Sequence, residues 1–493
     1  MPIASPKRPE IARGNLNLLH LSLLGLILLA AKPCRLLAET KEKEAKSFAE
    51  NKAKANQGDR DSQYAIALAY YNGTVVTKDE VAASTWMRKS AEAGLAQAQY
   101  DYGYFLQQGI GQSPDLKLAV FWYKKAAEQG HGSAMNNLGN CYGKGLGVPI
   151  SQTQSFVWFR LGAEKGLPIA QLNTGIMYAQ GCGIEKDPEE AFKWYEKAAL
   201  SGLAQGQYAL ADCLENGLGT KKDQVTAVVW FRKAAEQGLA AAQFKLGTRL
   251  LTGDGVRKDE TEAVTWFDKS AAQGNSDAMT NLGFCYDNGL GRTKDEKRAL
   301  AWYKQAAEKG SAVAQNNLAV CYQNGTGVPV DPNLALALYH KSAEQGYAPA
   351  QMNLGRCHDT GFGVKVDPEE AFKWYKKAAD AGHTESLYNL AVCFRNGRGV
   401  ARDDKEAVRL YRLSAARGFP QALSNLGSCY LKGNGVEQNE TEAFAYFTLA
   451  AETREIARTI LASLTARLSA EQIAAGRKRA NEIQQEIDAN KGK

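Results

Sequence analysis

The sequence predicts an all-α protein, a solenoid built from eleven helix-turn-helix repeats of 36 residues. Glycines recur at a constant spacing of 36 from Gly58 to Gly418 in the 493-residue chain. All 8 tryptophans stand at one position of this period, and each period contains two segments with helical apolar patterning and helix-capping residues. A helix pair of this size cannot bury its own apolar faces, so stacked neighbouring repeats must bury them.

The composition excludes several functional classes. Basic and acidic residues number 60 and 53 and are interleaved, which argues against a dedicated nucleic-acid binder. The 5 histidines are too few and too scattered for an obvious metal enzyme, so we expect no metal and no cofactor. Charged residues are 23% and apolar residues 44% of the chain, so it is neither wholly disordered nor an all-membrane protein.

Residues 1–38 are predicted to be a signal peptide or a signal anchor. Basic residues precede an apolar stretch, Leu16–Ala31, which is shorter than the ~20 residues that a membrane-spanning helix needs. Cleavage after Ala31 or Ala38 and retention as an uncleaved anchor both remain open. We expect export, to the periplasm or the medium in a bacterium and to the endoplasmic reticulum lumen in a eukaryote. Residues 39–58 follow as a charged spacer or helix.

Residues 59–454 hold the repeats, and positions within a repeat are counted from 1 to 36, with Asp59 at position 1 of repeat 1. The first helix begins near position 3 and places positions 4, 5, 8, 9 and 12 on one face. Position 9 is always Gly or Ala, which predicts the close approach of another helix.

Glycine at position 15 ends the first helix, because this residue adopts the left-handed backbone of a helix C-cap without strain. Ten repeats add a glycine at position 17, with Val75 as the exception. A Gly-x-Gly motif also occurs in phosphate-binding loops, but those follow a strand, whereas this motif follows a helix. We therefore interpret it as structural.

The second helix is predicted to start at position 21, where aspartate occurs in nine repeats and Ser151 or Asn439 in the others. All three residue types are good helix N-caps. Glutamates three residues later, at Glu190, Glu262, Glu370, Glu406 and Glu442, stand where a capping box would place them. This helix is predicted to bury Ala at position 25, Trp at 28, an aromatic residue at 29 and Ala at 33. The tryptophans are Trp86, Trp122, Trp158, Trp194, Trp230, Trp266, Trp302 and Trp374.

Residues 455–493 are predicted to form a C-terminal capping helix and tail. Helical patterning continues to about Asp488, and Ser469 and Gln472 are spaced as a capping box. An amphipathic helix here would cover the open face of the last repeat.

The repeats resemble those of the Sel-1-like repeat family, a relative of the tetratricopeptide repeat. The motif residues in two consecutive repeats are Leu138, Gly139, Tyr142, Gly145, Gly147 and Val148, then Ala191, Trp194, Tyr195, Ala198, Ala199 and Gly202. The resemblance covers about four-fifths of the chain. It implies a right-handed superhelical scaffold that binds other proteins or peptides.

Asparagine at position 7 is the candidate for ligand binding. An amide side chain both donates and accepts hydrogen bonds, so a row of asparagines can bind the backbone of an extended peptide. Tetratricopeptide domains use asparagine on this helix in a similar way. The alternative is that each asparagine bonds the backbone of its neighbouring repeat. The unbroken stretch, where we expect a ligand, is Asn281, Asn317, Asn353, Asn389 and Asn425. Asn137 and Asn173 are earlier members, and Ala65, Asp101, Ala209 and Lys245 interrupt the row.

Cysteine at position 11 of seven repeats is predicted to be a buried free thiol. No repeat places two cysteines together as a disulfide would need, and equivalent residues of stacked helices lie about 10 Å apart. A disulfide needs Cα atoms within ~7 Å. Cys182, in a Gly-x-Gly loop, is the one repeat thiol that we expect to be exposed.

Three functions remain open from the sequence. The first is an exported, non-catalytic adaptor whose concave surface binds a protein or an extended peptide, with membrane contact only through an uncleaved N-terminal anchor. The second is a structural envelope spacer or self-assembling protein. The third is a hydrolase like the β-lactamases described among cysteine-rich relatives. The chain contains no Ser-x-x-Lys, Gly-x-Ser-x-Gly or His-Glu-x-x-His motif, and its histidines are not expected to converge, which disfavours the hydrolase.

Overall fold

The computed structural model describes residues 43–491, and over this range the all-α prediction is confirmed. The described chain contains twenty-five helices and no strand. The predicted signal peptide or anchor lies outside the described residues. None of the described helices is both long enough and apolar enough to cross a membrane.

The helices alternate as the two members of each repeat. A helix over 43–56 (α1) precedes the repeats. The first helices are α2 Arg60–Asn72, α4 Ala96–Gln108, α6 Gly132–Lys144, α8 Pro168–Gln180, α10 Ala204–Asn216, α12 Ala240–Thr252, α14 Ser276–Asn288, α16 Ala312–Asn324, α18 Ala348–Thr360, α20 Thr384–Asn396 and α22 Pro420–Lys432. The second helices are α3 Glu80–Glu92, α5 Leu116–Glu128, α7 Gln152–Glu164, α9 Pro188–Leu200, α11 Gln224–Glu236, α13 Glu260–Ala272, α15 Glu296–Glu308, α17 Pro332–Glu344, α19 Pro368–Asp380, α21 Asp404–Ala415 and α23 Glu440–Ala450. Helices α24 Glu455–Arg467 and α25 Ala470–Lys491 follow.

The chain forms two compact units, an N-terminal unit up to Trp230 and a C-terminal unit from Phe231. Each helix packs against the next one along the chain from α2 to α10 in the N-terminal unit and from α12 to α24 in the C-terminal unit, and α25 packs against α23. Each unit is therefore a stack of helix pairs, which is the arrangement that the 36-residue period predicts.

The small residue at position 9 allows the aromatic ring at position 29 of the same repeat to pack against the first helix. A Cβ atom added to Gly139 would lie 2.5 Å from the Phe159 ring, and one added to Gly283 would lie 2.5 Å from the Tyr303 ring. The predicted close approach of a second helix is thus confirmed, and its cause is the ring at position 29.

The loop glycines at positions 15 and 17 have different structural roles. Gly397, at position 15, ends α20 with a φ of 67° and donates its N–H to the Cys393 carbonyl group. Gly399, at position 17, also has a positive φ, and a Cβ atom there would lie 2.0 Å from the carbonyl oxygen of Pro368 in the preceding repeat. The second glycine therefore brings the loop against the start of the neighbouring repeat's second helix, a contact between repeats that the sequence analysis did not identify.

The predicted N-caps are confirmed, but the predicted capping boxes of the second helices are wrong. The Asp367 carboxylate accepts a hydrogen bond from the Glu370 N–H at 3.0 Å. The Asp367 N–H donates to the His358 carbonyl group instead of to Glu370. The Glu370 carboxylate faces Lys373. The N–H of the cap residue already has a backbone acceptor, so the glutamate forms an ion pair.

Burial within the second helix also differs from the prediction. Trp302 is only half-buried, whereas the neighbouring Tyr303 is 2% exposed. Four tryptophans at position 28 are covered by a lysine three residues later, and the Lys197 ammonium lies 3.7 Å from the Trp194 ring centroid. The tryptophan prediction is thus confirmed at Trp194, Trp266 and Trp374, which are buried, whereas the other five tryptophans are half-buried. In repeat 7 the ring at position 29 forms the centre of the repeat, and the tryptophan lies at its edge.

Two helices follow the last repeat where one was predicted. Helix α25 begins at a reciprocal capping box, in which the Ser469 N–H donates to Gln472 and the Gln472 N–H donates to Ser469. Ile483 and Ile487 of this helix are buried in the same apolar cluster as Phe444 of α23. The open face of repeat 11 is thereby covered.

Candidate peptide-binding surface

The five predicted site residues lie on successive first helices, α14, α16, α18, α20 and α22, all in the C-terminal unit. We call Asn281, Asn317, Asn353, Asn389 and Asn425 the asparagine row. Asn353 is 6% exposed, and the other four side chains are half-buried. The row therefore lies at the border between the core and the surface, as its position in the repeat predicts.

Three members of the row are hydrogen-bonded within the protein. Asn353 donates to the Asn316 side chain at 2.9 Å and accepts from Arg356 at 3.0 Å. Asn317 accepts from Asn316 at 3.3 Å. Asn425 donates to the Tyr411 hydroxyl group at 3.1 Å. The amides of these three residues thus have partners in the fold.

The partners are side chains, whereas the alternative considered from the sequence was the backbone of the neighbouring repeat. Tyr411 occupies position 29 of repeat 10, and Asn425 belongs to repeat 11. Asn317 and Asn137 act in the same direction on the tyrosine at position 29 of the preceding repeat, because each amide opposes the rise that burial causes in the pKa of Tyr303 or Tyr123. The Tyr123 hydroxyl group itself donates to the Gln107 side chain at 2.8 Å. Burial raises the pKa of Tyr411 to about 12, and the hydrogen bond from Asn425 opposes that rise.

Asn281 and Asn389 differ from the other members, because the structure gives their side chains no hydrogen bond to any residue within 43–491. For Asn281 the reason lies in the preceding repeat, whose position 29 is Phe267 and carries no hydroxyl group. A half-buried amide without a protein partner can bond water or a ligand. These two residues are the members of the row whose whole amide groups have no hydrogen-bond partner among the described residues.

The surface beside the row is largely apolar. Position 10, one turn after each asparagine, holds Phe284, Val320 and Val392, and the Phe284 side chain is 44% exposed. Val313, at position 3 of repeat 8, is also exposed. Arg356 is the charged residue at position 10 in this stretch, and it is bonded to Asn353. The surface thus combines amide groups with apolar side chains and is not uniformly charged.

The earlier asparagines also pair across repeats. Asn173 donates to the Asn136 side chain at 2.9 Å. Asp101, which replaces asparagine at position 7 of repeat 2, also contacts the preceding repeat. Its carboxylate accepts a hydrogen bond from the Tyr64 hydroxyl group at 2.7 Å. The role of position 6, occupied by Asn136 and Asn316, could not be predicted from the sequence. The repeat period alone does not reveal that these side chains face the next repeat.

The position 11 cysteines are free and buried, as predicted for the repeat thiols. Burial raises the pKa of the Cys285 and Cys321 thiols to about 11, which keeps them protonated near neutral pH. Cys182 is half-buried and is the most accessible cysteine among residues 43–491. These thiols pack as small apolar side chains.

The histidines depart in one respect from the prediction that they do not converge. His131 and His383 are N-caps of α6 and α20, and each accepts from a backbone N–H three residues later. His340 and His358, however, pack edge to face with their ring centroids 6.3 Å apart. His340 belongs to repeat 8 and His358 to repeat 9, so this is a contact between two neighbouring repeats. No cluster of three or more metal-ligating side chains exists within the described part of the chain.

Comparison with known proteins places these features in a family. A family model described as the Sel1 repeat matches eleven consecutive segments, from 60–95 through 420–452. The crystal structure of a protective antigen present in uropathogenic Escherichia coli strains, described as displaying an SLR fold, is 34% identical in sequence. That similarity covers 89% of this chain and 95% of the antigen, with a TM-score of 0.78.

A Sel1 repeat protein from Oxalobacter formigenes is 36% identical over 50% of this chain and 96% of that protein, with a TM-score of 0.47. The family match extends over most of the chain, and the repeat scaffold suits interaction with other proteins. The chain belongs to the Sel1 repeat family.

Proposed function

We propose that this protein is an exported, non-catalytic adaptor that binds an extended segment of a partner protein along the asparagine row. The observation that supports this proposal best is the pair of half-buried amides, Asn281 and Asn389, that have no hydrogen-bond partner within residues 43–491. Asn281 is followed one turn later by the exposed ring of Phe284, and Asn389 by Val392. An extended peptide exposes backbone N–H and C=O groups at regular intervals, and these amides can donate to and accept from them. The apolar neighbours would bury alternate side chains of the peptide.

Adaptor function agrees with the chemistry of the surface. The position 11 thiols are buried, which raises their pKa, and the sequence lacks the serine and zinc motifs of the hydrolases considered above. The cap formed by α25 over repeat 11 also leaves no open repeat face at that end for end-to-end self-association. This covering favours a discrete binding surface over a structural spacer.

Site-specific photocrosslinking tests the proposal. A photoreactive phenylalanine analogue replaces Phe284, and a matched variant carries the analogue at Leu200, which is exposed on α9. In cells of the native source, we expect position 284 to capture a defined protein through a contiguous segment and position 200 not to capture it. Capture only of a second copy of this chain would favour the spacer. Equal capture from both positions would contradict binding along the row.

Export is a separate part of the proposal. It rests on the basic and apolar pattern of residues 1–38. Mass spectrometry of the mature N-terminus, together with fractionation of the source cells, tests it. We expect the protein outside the cytoplasm, with a new N-terminus after Ala31 or Ala38 if the signal is cleaved. Recovery of the protein in the cytoplasm with Met1 or Pro2 at its N-terminus would contradict export.

A further inference from the structure

A cavity of about 340 Å³ lies between α8, α9 and α10 in the N-terminal unit. Its walls are mostly apolar or aromatic and include Ala191, Tyr195, Tyr208, Ala209, Cys213 and Leu218. Lys186 and Asp212 also line it, so its charged residues are one cation and one anion. Its volume falls within the range of about 300–1,000 Å³ that is typical of ligand sites.

The cavity occurs where the sequence departs from its own repeat pattern. Position 7 of repeat 5 is Ala209, whereas seven other repeats carry asparagine there. In repeat 11, the asparagine at this position bonds the tyrosine hydroxyl at position 29 of the preceding repeat, Tyr411. The corresponding tyrosine here is Tyr195, and a methyl group cannot reach or bond its hydroxyl. The replacement therefore removes both volume and a hydrogen-bonding group.

The Tyr195 hydroxyl group is left without a replacement partner, because the structure gives it no hydrogen bond within residues 43–491. The Tyr195 side chain is only 8% exposed and stands in the cavity wall. A group that fills the cavity well would therefore be apolar in its body and able to bond a hydroxyl group. The lining charges cancel, so they favour an uncharged group over a charged one.

We propose that this cavity binds a tyrosine side chain of the partner protein. The ring packs against Tyr208, Leu218 and the alanines, and the phenol hydroxyl bonds the Tyr195 hydroxyl in place of the missing amide. Ala209 occupies the same repeat position as the members of the asparagine row. The inference rests on the proposed adaptor function, since it supplies a side-chain anchor for the partner.

Binding of p-cresol to the purified protein, followed by protein-observed NMR titration, tests the site without the partner. We expect saturable binding that Ala209→Asn weakens at least about tenfold, since the asparagine refills the cavity and bonds Tyr195. Asp101→Asn is the matched control, because it installs asparagine at the same position of repeat 2, away from the cavity, and should leave p-cresol binding unchanged. Circular dichroism and melting temperature must agree among the three proteins.

Two further measurements keep the test decisive. Leu218→Glu places a carboxylate at an exposed position of the cavity wall and should also weaken p-cresol binding. Acetamide and toluene serve as comparison probes, and both should bind more weakly than p-cresol. Absence of saturable p-cresol binding, equal binding to Ala209→Asn, or tighter binding of acetamide would overturn the proposal.

Failure of the tyrosine site can be distinguished from failure of the adaptor function. Asn281→Ala and Asn389→Ala lie in the C-terminal unit and should leave p-cresol binding unchanged while they reduce partner capture. If Phe284 captures a partner and p-cresol does not bind, the adaptor function stands and the tyrosine site is wrong. If p-cresol binds but Phe284 captures nothing, the adaptor function fails, and with it the assignment of the tyrosine to a partner.

Discussion

At the scale of single residues, the aromatic pair in the middle of α15 shows how unequal neighbouring core positions can be. Tyr303 lies over Gly283 and is almost fully buried, whereas Trp302 is half-buried at the edge of the repeat. Tyr303→Ala should therefore cost about 3–5 kcal/mol of unfolding free energy, as truncation of a buried aromatic residue does. Trp302→Ala should cost clearly less, although tryptophan is the larger side chain.

Urea unfolding of the two variants measures this difference. The two residues are adjacent in one helix, so helix propensity and position along the stack are matched. Equal losses in the two variants would show that the tryptophan contributes as much to the core as the tyrosine does.

The sequence identified the type of residue at both positions but not their order of burial. Both are apolar and aromatic, and both fall within the arc of the helix that faces the core. Their burial depends on the crossing of α15 with α14, which the spacing of apolar residues does not specify. The same limit applies to the asparagine row, whose position followed from the period. Which amides are bonded depends on the individual neighbours in space, such as Tyr411 for Asn425 and Asn316 for Asn353, and these the period does not specify.

At the scale of the elements, the loop glycine at position 17 should matter more than the one that ends each repeat. Gly346, at position 36, has a positive φ but no atom within 4 Å of an added Cβ. Gly346→Ala should cost about 1–2 kcal/mol, the strain of the left-handed backbone. Gly399→Ala adds a clash with the Pro368 carbonyl group and should cost more. Chemical denaturation of both variants checks this order, and a smaller loss for Gly399→Ala would refute it.

Ion pairs between second helices should give a modest pH dependence. Arg232 forms a bidentate ion pair with Glu262 in the C-terminal unit, and this contact lowers the pKa of Glu262. A carboxylate whose pKa is lower in the folded state adds stability above its unfolded pKa, and this stability is lost as pH falls through the folded value. Glu262→Gln should thus lower the melting temperature at pH 7 but have little effect near pH 3. An equal effect at both pH values would contradict an ionic contribution.

At the scale of the whole molecule, the stability of a stack of repeats is mainly a sum of contacts between adjacent repeats. Ile483 and Ile487 of α25 are buried with repeat 11 and do not reach repeat 7. The double substitution Ile483→Ser and Ile487→Ser should increase hydrogen exchange in α22 and α23 and leave α14 and α15 unchanged. Uniform loss of protection from repeat 7 to repeat 11 would show that the C-terminal unit unfolds as a single cooperative block.

The same period that makes the fold predictable hides the features that distinguish one repeat from another. The helix pairs, the N-caps of the second helices and the loop glycines could be predicted, because the same residue types recur at the same positions of successive repeats. The cavity beside Ala209 and the contact between His340 and His358 could not, because each arises from one departure from the pattern together with a neighbour in space.

The most direct test of the central claim, that the asparagine row binds a partner, is the affinity of the partner segment captured from Phe284. Isothermal titration calorimetry compares the unchanged protein with the double variant Asn281→Ala and Asn389→Ala, because these two side chains have no hydrogen bond to lose within residues 43–491. We expect an unchanged melting temperature and an affinity at least about tenfold lower. An unchanged affinity would contradict it, and so would a drop in melting temperature sufficient to explain the loss, because the amides would then be structural.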